Sequence, residues 1–167
     1  YDADSFAYSI EKAIEELSRC AGSRGMIGGQ VIDLQNEDNP EATIDLLQLL
    51  DSLKTGALIE AACVMGCIVA GADEEKIEKA RIFADKLGLA FQIKDDILDV
   101  TSTMEKLGKP IGSDAENGKS TYVGILGIEK CQSLVDELTN DAMNALEIFP
   151  DNGALKEYAE YLAKRDH

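Results

Sequence analysis

Histidine and tryptophan are nearly absent from this sequence. The 167 residues include no tryptophan, and the one histidine is the last residue, His167. Histidine is the side chain best suited to acid–base chemistry near neutral pH and the commonest metal ligand. The sequence therefore argues against catalysis by an imidazole and against a histidine-ligated zinc site in this chain.

Basic residues are also scarce relative to acidic ones. The chain has 16 lysines and arginines but 32 aspartates and glutamates, and its formal net charge is −16. Because nucleic-acid binding needs a basic surface, this composition argues against it. The overall charge would repel an anionic substrate, which would have to be held by local lysines and bridged by a metal ion.

The four cysteines show no metal-binding pattern. Cys20 and Cys131 stand alone, and Cys63 and Cys67 are one helical turn apart in an apolar segment. Such cysteines are typical of buried thiols in a reducing compartment. The chain begins at Tyr1 without a basic or apolar leader, so nothing marks secretion and we expect a cytoplasmic protein.

Strand-like alternation of apolar and polar residues is missing, whereas apolar residues recur at helical spacing along most of the chain. The sequence predicts an all-α protein, an antiparallel helical bundle forming a single domain over residues 1–167. Helices are predicted near residues 5–21, 25–34, 42–71, 73–101, 120–127, 129–148 and 153–165. Residues 102–119 contain Gly108, Pro110, Gly112 and Gly118 and are predicted to form a loop.

No run is both long and apolar enough to predict a membrane span. Residues 56–72 carry only one charge, Glu60. A spanning helix needs about 20 apolar residues and rarely contains an acid. The length of this run and its glutamate favour a core helix of a bundle.

An acidic stripe lies in the predicted helix 73–101. At 3.6 residues per turn, Gln92, Asp95, Asp96 and Asp99 fall within an arc of about 100°, and most neighbouring positions are apolar. An apolar helix is normally buried, and buried carboxylates are costly unless a cation meets them. The spacing suits a hard ion such as Mg²⁺. The alternative for so acidic a chain is a solvated acidic face.

Three lysines are candidates for binding an anion. Lys54 lies within the predicted helix 42–71, and Lys109 and Lys119 lie in or beside the predicted loop. Without further motifs, Lys54 is equally well explained as a lysine whose stem packs on the protein. Lysines in loops, such as Lys109 and Lys119, are most often simply solvated.

Gln30 and Asp33 lie on one side of the glycine-rich predicted helix 25–34. They are candidates for a substrate-facing surface. The alternatives are a polar face packed against another helix, or a dimer contact at which Gly25, Gly28 and Gly29 allow close approach.

Several of these blocks together resemble the trans-prenyl diphosphate synthases. The acidic stripe, the lysine–proline turn at residues 107–110, Asp114 and the block 118–122 resemble the second aspartate-rich region of that family. Blocks 25–34 and 54–59 agree with it in order and spacing. Bacterial farnesyl and geranylgeranyl diphosphate synthases are the most similar members. The family's first aspartate-rich motif and an initiator methionine are both missing, so we expect the C-terminal part of a longer protein.

The resemblance implies a Mg²⁺-dependent prenyltransferase of isoprenoid biosynthesis. Such an enzyme condenses an allylic diphosphate with isopentenyl diphosphate to a short-chain prenyl diphosphate such as farnesyl diphosphate, usually as a homodimer. Lacking the first motif, the isolated chain is expected to be inactive. The alternatives are a terpene cyclase of the same fold and a non-catalytic helical subunit.

The resemblance also implies residue roles. Asp95, Asp96 and Asp99 are expected to bind the metal. The expected catalytic residues are Lys54, Thr55, Gln92 and Lys109. The expected substrate-binding residues are Gln30, Asp33, Lys54, Thr55, Gln92, Lys109 and Lys119. Asp114 is expected near the water shell of the metal, and Phe91 and Tyr122 as an aromatic wall. Asp51 departs from the family, which usually has a basic or polar residue there.

Overall fold

The described part of this protein is built from helices. The computed structural model describes residues 3–37, 39, 42–101 and 120–166. The elements are α1 (Ala3–Ala21), α2 (Met26–Gln35), α3 (Ile44–Asp51), a π-helical segment (Ser52–Gly56), α4 (Ala57–Val69), α5 (Glu74–Thr101), α6 (Tyr122–Leu126), α7 (Ile128–Ala145), a 3-10 turn (Leu146–Ile148) and α8 (Gly153–Lys164). These residues contain no strand, which confirms the all-α prediction. The predicted loop 102–119 lies outside the described residues.

Helix α5 is the centre of the described structure. It packs against α4 on one side and against α7 on another. Near its C-terminal end, Ile93 and Ile97 are buried against Tyr122 and Val135. Nearer its N-terminal end, Phe83 packs in a second cluster with residues of α7 and α8. Because these apolar residues cover most of α5, its acidic stripe is left facing one cavity.

The helix predicted over 42–71 forms as one rod, Ile44–Val69, of 26 residues. By length and composition alone this rod could cross a membrane, although the core helix of a soluble protein passes the same test. It is longer than the run 56–72 considered from the sequence. Only 17 % of its most apolar window is buried within the described chain. The absence of a membrane span stays a prediction.

A π-helical segment interrupts this rod at Ser52–Gly56, and it was not predicted. In a π-helix each hydrogen bond joins residues five apart instead of four, so the side chains that follow are rotated relative to an α-helix. Such segments are frequent at functional sites. Lys54 and Thr55 lie within the segment. The local geometry of the lysine block is therefore set by an irregular turn.

Two glycines allow the π-helical segment to be approached from both sides. A Cβ atom built on Gly29 of α2 would lie 2.4 Å from the backbone nitrogen of Lys54. A Cβ atom on Gly88 of α5 would lie 3.3 Å from the Cα atom of Gly56. The close approach proposed for Gly29 from the sequence is therefore made within the chain.

An ion-pair network surrounds Glu60, the only charged residue of the apolar run 56–72. Glu60 accepts hydrogen bonds from Arg19 of α1, at 2.6 Å, and from Arg81 of α5. Both arginines also pair with Glu16. Because two guanidinium groups meet two carboxylates here, the network joins α1, α4 and α5 with balanced charges.

The cysteines are buried less uniformly than expected. All four are free thiols, and Cys20 and Cys131 are buried. Cys63 and Cys67 are only partly buried, which corrects the expectation, because they line a groove between α4 and the segment around Phe149. Burial raises the pKa of both of these thiols.

Candidate functional site

One cavity of about 370 Å³ brings together residues from α2, α3, the π-helical segment, α5 and the start of α6. Its lining comprises Asp33, Leu47, Leu50, Asp51, Lys54, Gln92, Asp95, Asp96, Asp99, Ser120, Thr121 and Tyr122. Polar groups dominate this lining, in contrast to the groove beside Cys63. The cavity lies between the Ile44–Val69 rod and α5.

Lys54 faces this cavity from the π-helical segment. Its ammonium group donates a hydrogen bond to Oδ2 of Asp33 at 2.6 Å. Both side chains are half-buried, with 35 % and 18 % of their surface exposed. Asp33 lies one helical turn after Gly29, so the close approach of α2 at that glycine brings its carboxylate within reach of the lysine. This charge-assisted hydrogen bond holds the ammonium group in a defined direction.

A second polar contact crosses the cavity between α3 and α5. Gln92 donates a hydrogen bond from Nε2 to Oδ1 of Asp51 at 3.1 Å. The Tyr122 side chain is buried beside Asp51. Burial, followed by the charge of Asp51, raises the pKa of this phenol. Tyr122 therefore stays neutral.

Burial also raises the pKa of Asp51 above its ordinary value of 3.8, and the hydrogen bond from Gln92 only partly offsets this effect. The folded protein consequently holds this proton more tightly than the unfolded chain. Stability should then fall as the pH rises from 3.8 through the raised pKa of the folded state.

We therefore expect Asp51→Asn to unfold at a higher temperature than the unchanged protein near about pH 7, because it removes a poorly solvated charge. The difference should shrink towards zero below about pH 4, where the carboxyl is protonated in both states. Thermal unfolding followed by circular dichroism across this pH range measures it. Asp85→Asn, which changes an exposed carboxylate, controls for net charge. A difference in unfolding temperature that did not change with pH would contradict the raised pKa of Asp51.

The three aspartates of α5 differ in exposure and contacts. Asp99 is buried, with 4 % of its surface exposed. Oδ2 of Asp96 accepts a hydrogen bond from the backbone N–H of Tyr122 at 2.7 Å. Thr121 caps α6 and fixes that N–H, because its hydroxyl accepts a hydrogen bond from Gly124. Oδ1 of Asp95, at the rim, accepts a hydrogen bond from Arg165 at 2.7 Å.

The charge of the cavity favours cations. Its described lining carries five carboxylates, those of Asp33, Asp51, Asp95, Asp96 and Asp99, and one ammonium group, that of Lys54. Carboxylate and amide oxygens are the ligands of a hard cation such as Mg²⁺. Such an ion often keeps several waters and takes one or two carboxylates plus phosphate oxygens. The donor set therefore fits Mg²⁺.

A different cluster is the tightest group of ligand atoms. Among the described residues, only Glu16, Cys20 and Glu60 have ligand atoms that all lie within 4.8 Å of one another. Because Arg19 and Arg81 already neutralise both glutamates, this cluster is an ion-pair network. The carboxylates of α5 are spaced more widely, which suits ligands shared with water and phosphate.

The structure brings together most of the residues singled out from the sequence. The described lining includes Asp33, Lys54, Gln92 and all three aspartates of the stripe. Gln30 is exposed on α2, and neither it nor Thr55 lines this cavity. Lys109, Asp114 and Lys119 lie outside the described residues. The roles given to all of these residues stay predictions.

Two residues of the site were not assigned roles from the sequence. Asp51 lies nearly one turn before Lys54, and helical spacing could have placed it on the same wall. Arg165 lies beyond the end of α8, 70 residues from Asp95. No local pattern connects those two positions, so only the fold shows their contact.

Both the sequence and the fold of this chain are similar to those of known proteins. Residues 7–161 match the polyprenyl synthetase family. Geranylgeranyl pyrophosphate synthase 7, chloroplastic, of Arabidopsis thaliana is 41 % identical over 162 residues, which cover 95 % of this chain and 47 % of that protein. An FPP/GFPP synthase from Zymomonas mobilis, solved in the apo form, superimposes with a TM-score of 0.80 at 29 % identity, covering 93 % of this chain and 51 % of that one.

A geranyltransferase from Helicobacter pylori was solved with magnesium and isoprenyl diphosphate. It superimposes with a TM-score of 0.75 at 34 % identity, and the match covers 93 % of this chain and 51 % of that one. The chain thus spans about half the length of the relatives that it matches. The family match runs through nearly all of its helices, from α1 to α8. The chain belongs to the polyprenyl synthetase family.

Proposed function

We propose that this chain carries the metal- and diphosphate-binding wall of a prenyltransferase that joins an allylic diphosphate to isopentenyl diphosphate. The observation that supports the proposal is the cavity in which the α5 aspartates lie opposite Lys54. The three aspartates supply oxygen ligands, and the lysine supplies a positive charge. A diphosphate bridged by Mg²⁺ needs both kinds of group.

The charges of the lining make binding depend on the metal. Five carboxylates and one ammonium group would repel a bare diphosphate. When bound, Mg²⁺ would supply the positive charge that neutralises the departing diphosphate. Asp95, Asp96 and Asp99 are the residues that would hold it. We therefore expect diphosphate binding to require the divalent ion.

The other residues of the wall orient the anion. Lys54 has one N–H bonded to Asp33, which directs the ammonium group along the cavity. Gln92 is held by Asp51 in the same way. Groups fixed before the substrate arrives need little reorganisation when charge develops on the leaving group, and this is the main source of electrostatic catalysis.

Membership of the polyprenyl synthetase family favours the prenyltransferase over the terpene cyclase. For the product we propose a short-chain prenyl diphosphate, such as farnesyl or geranylgeranyl diphosphate. The relative from Arabidopsis thaliana is named for the longer of these two products, and farnesyl diphosphate was the sequence-based expectation. A homodimer, a cytoplasmic location and inactivity of the chain by itself belong to the same proposal.

Calorimetry with inorganic pyrophosphate, in the presence and absence of Mg²⁺, tests the proposal. We expect measurable binding only with Mg²⁺, and we expect Asp99→Asn to weaken it by about tenfold or more, because one ligand charge is lost. Asp85→Asn, on the exposed side of α5, should bind as the unchanged protein does. Equal affinity with and without Mg²⁺ would contradict the proposal and favour a non-catalytic helical subunit.

A further inference from the structure

Arg165, 70 residues from Asp95 in the sequence, contacts this residue of the cavity lining. It follows α8 directly, and its side chain is 12 % exposed. Its Nη2 donates hydrogen bonds to Oδ1 of Asp95 at 2.7 Å and to the backbone oxygen of Phe91 at 3.2 Å. Phe91 and Asp95 are one turn apart on α5, so the guanidinium group spans that turn.

The Phe91 ring fixes the plane of the guanidinium group. The Cζ atom of Arg165 lies 4.2 Å from the centre of this ring, a distance at which a cation is attracted to the aromatic face. The Nε atom of Arg165 is buried and has no partner among the described residues. An unpaired buried donor costs free energy. The orientation of the Arg165 side chain therefore satisfies its contacts with Asp95 and Phe91 but leaves Nε unpaired.

Fold stability does not account for this arrangement. The Asp95 side chain is 50 % exposed, and an ion pair with so exposed a partner usually contributes little to stability. What the contact does determine is where Asp95 points. Asp95 is the first carboxylate of the α5 stripe, and it is an expected ligand of the metal.

We infer that Arg165 is a positioning residue for the metal site: it holds one oxygen of Asp95 and thereby orients the carboxylate towards a Mg²⁺–diphosphate complex. This inference rests on the proposed function. Carboxylates that bind metals are commonly held by hydrogen bonds of this kind, and losing such a partner typically costs about 10–100-fold in metal affinity. The C-terminal end of the chain thus contributes to the site without touching the substrate.

Calorimetry of inorganic pyrophosphate binding at several Mg²⁺ concentrations tests the inference. We expect Arg165→Gln to raise the Mg²⁺ concentration needed for half-maximal binding by about 10–100-fold. Arg165→Lys should recover only part of this loss, because an ammonium group lacks the planar fork that reaches both acceptors and stacks on Phe91. Complete recovery with lysine would show that only charge matters and would overturn the inference.

Lys164 provides a matched control. It precedes Arg165, its side chain is 75 % exposed, and it pairs with Glu160 at 2.8 Å. Lys164→Gln removes the same charge from the same end of α8, and it should leave the Mg²⁺ dependence unchanged. Thermal unfolding of each variant shows whether a loss of binding follows from a loss of folding.

A double-mutant cycle with Asp95→Asn shows whether Arg165 acts through that carboxylate. If it does, Arg165→Gln should have little further effect once Asp95 is changed. A fully additive loss would overturn the inference. If the unchanged protein binds pyrophosphate in a Mg²⁺-dependent way and Arg165→Gln binds equally well, the inference alone fails. If the unchanged protein shows no such binding, the proposed function fails and the inference fails with it.

Discussion

Lys54→Ala is expected to weaken Mg²⁺-dependent pyrophosphate binding by about 10- to 150-fold. This range corresponds to about 1.5–3 kcal/mol, the contribution of a hydrogen bond to a charged group. The variant also leaves the half-buried carboxylate of Asp33 without its 2.6 Å partner, so a negative charge remains close to the bound anion. Calorimetry with pyrophosphate and Mg²⁺ measures the loss.

Two further variants separate binding from stability. Lys54→Ala combined with Asp33→Asn removes the stranded charge, so it should recover stability but not the affinity of the unchanged protein. Lys76→Ala breaks an ion pair of 2.5 Å to Asp73 outside the cavity, at a lysine side chain of nearly the same exposure, 34 %. It should leave binding unchanged. If Lys54→Ala also binds normally, this lysine is only a solvated residue of the cavity wall.

Gly29→Ala is expected to destabilise the fold by about 1–3 kcal/mol, the usual cost of an extra methyl group in a closely packed place. The added Cβ would meet the backbone of Lys54 at 2.4 Å and 2.7 Å, closer than real Cβ atoms come to other atoms. Backbone cannot rotate away as a flexible side chain can, so α2 must shift. Thermal unfolding should show a midpoint several degrees lower.

Gly66→Ala is the matched control for this change. Gly66 lies inside α4, and a Cβ atom built there meets no atom within 4 Å. Alanine should stabilise the helix at this position by about 0.5–1 kcal/mol, because it restricts the unfolded chain more than glycine does. The two substitutions should thus shift the unfolding midpoint in opposite directions. A stabilising effect of both would show that α2 does not press on Lys54.

The π-helical segment is a feature that the sequence did not predict. Apolar periodicity predicted a helix over 42–71, and the rod Ile44–Val69 confirms it. The residues on either side of Ser52–Gly56 remain helical, so the extra residue in this turn hardly changes the spacing of apolar residues. Its position is explained by packing, because α2 and α5 approach this turn closely at Gly29 and Gly88.

The sequence by itself determined the helical class, the acidic stripe on α5 and the likeness to the prenyl synthases. The first two depend on helical spacing, which decides which neighbouring side chains share a face. The likeness depends on the order and spacing of short blocks along the chain. Only the tertiary structure shows which residues of the site bond to one another. Lys54 meets Asp33 across 21 residues, Gln92 meets Asp51 across 41, and Arg165 meets Asp95 across 70. These contacts follow from helix packing, which brings together faces that no local spacing relates.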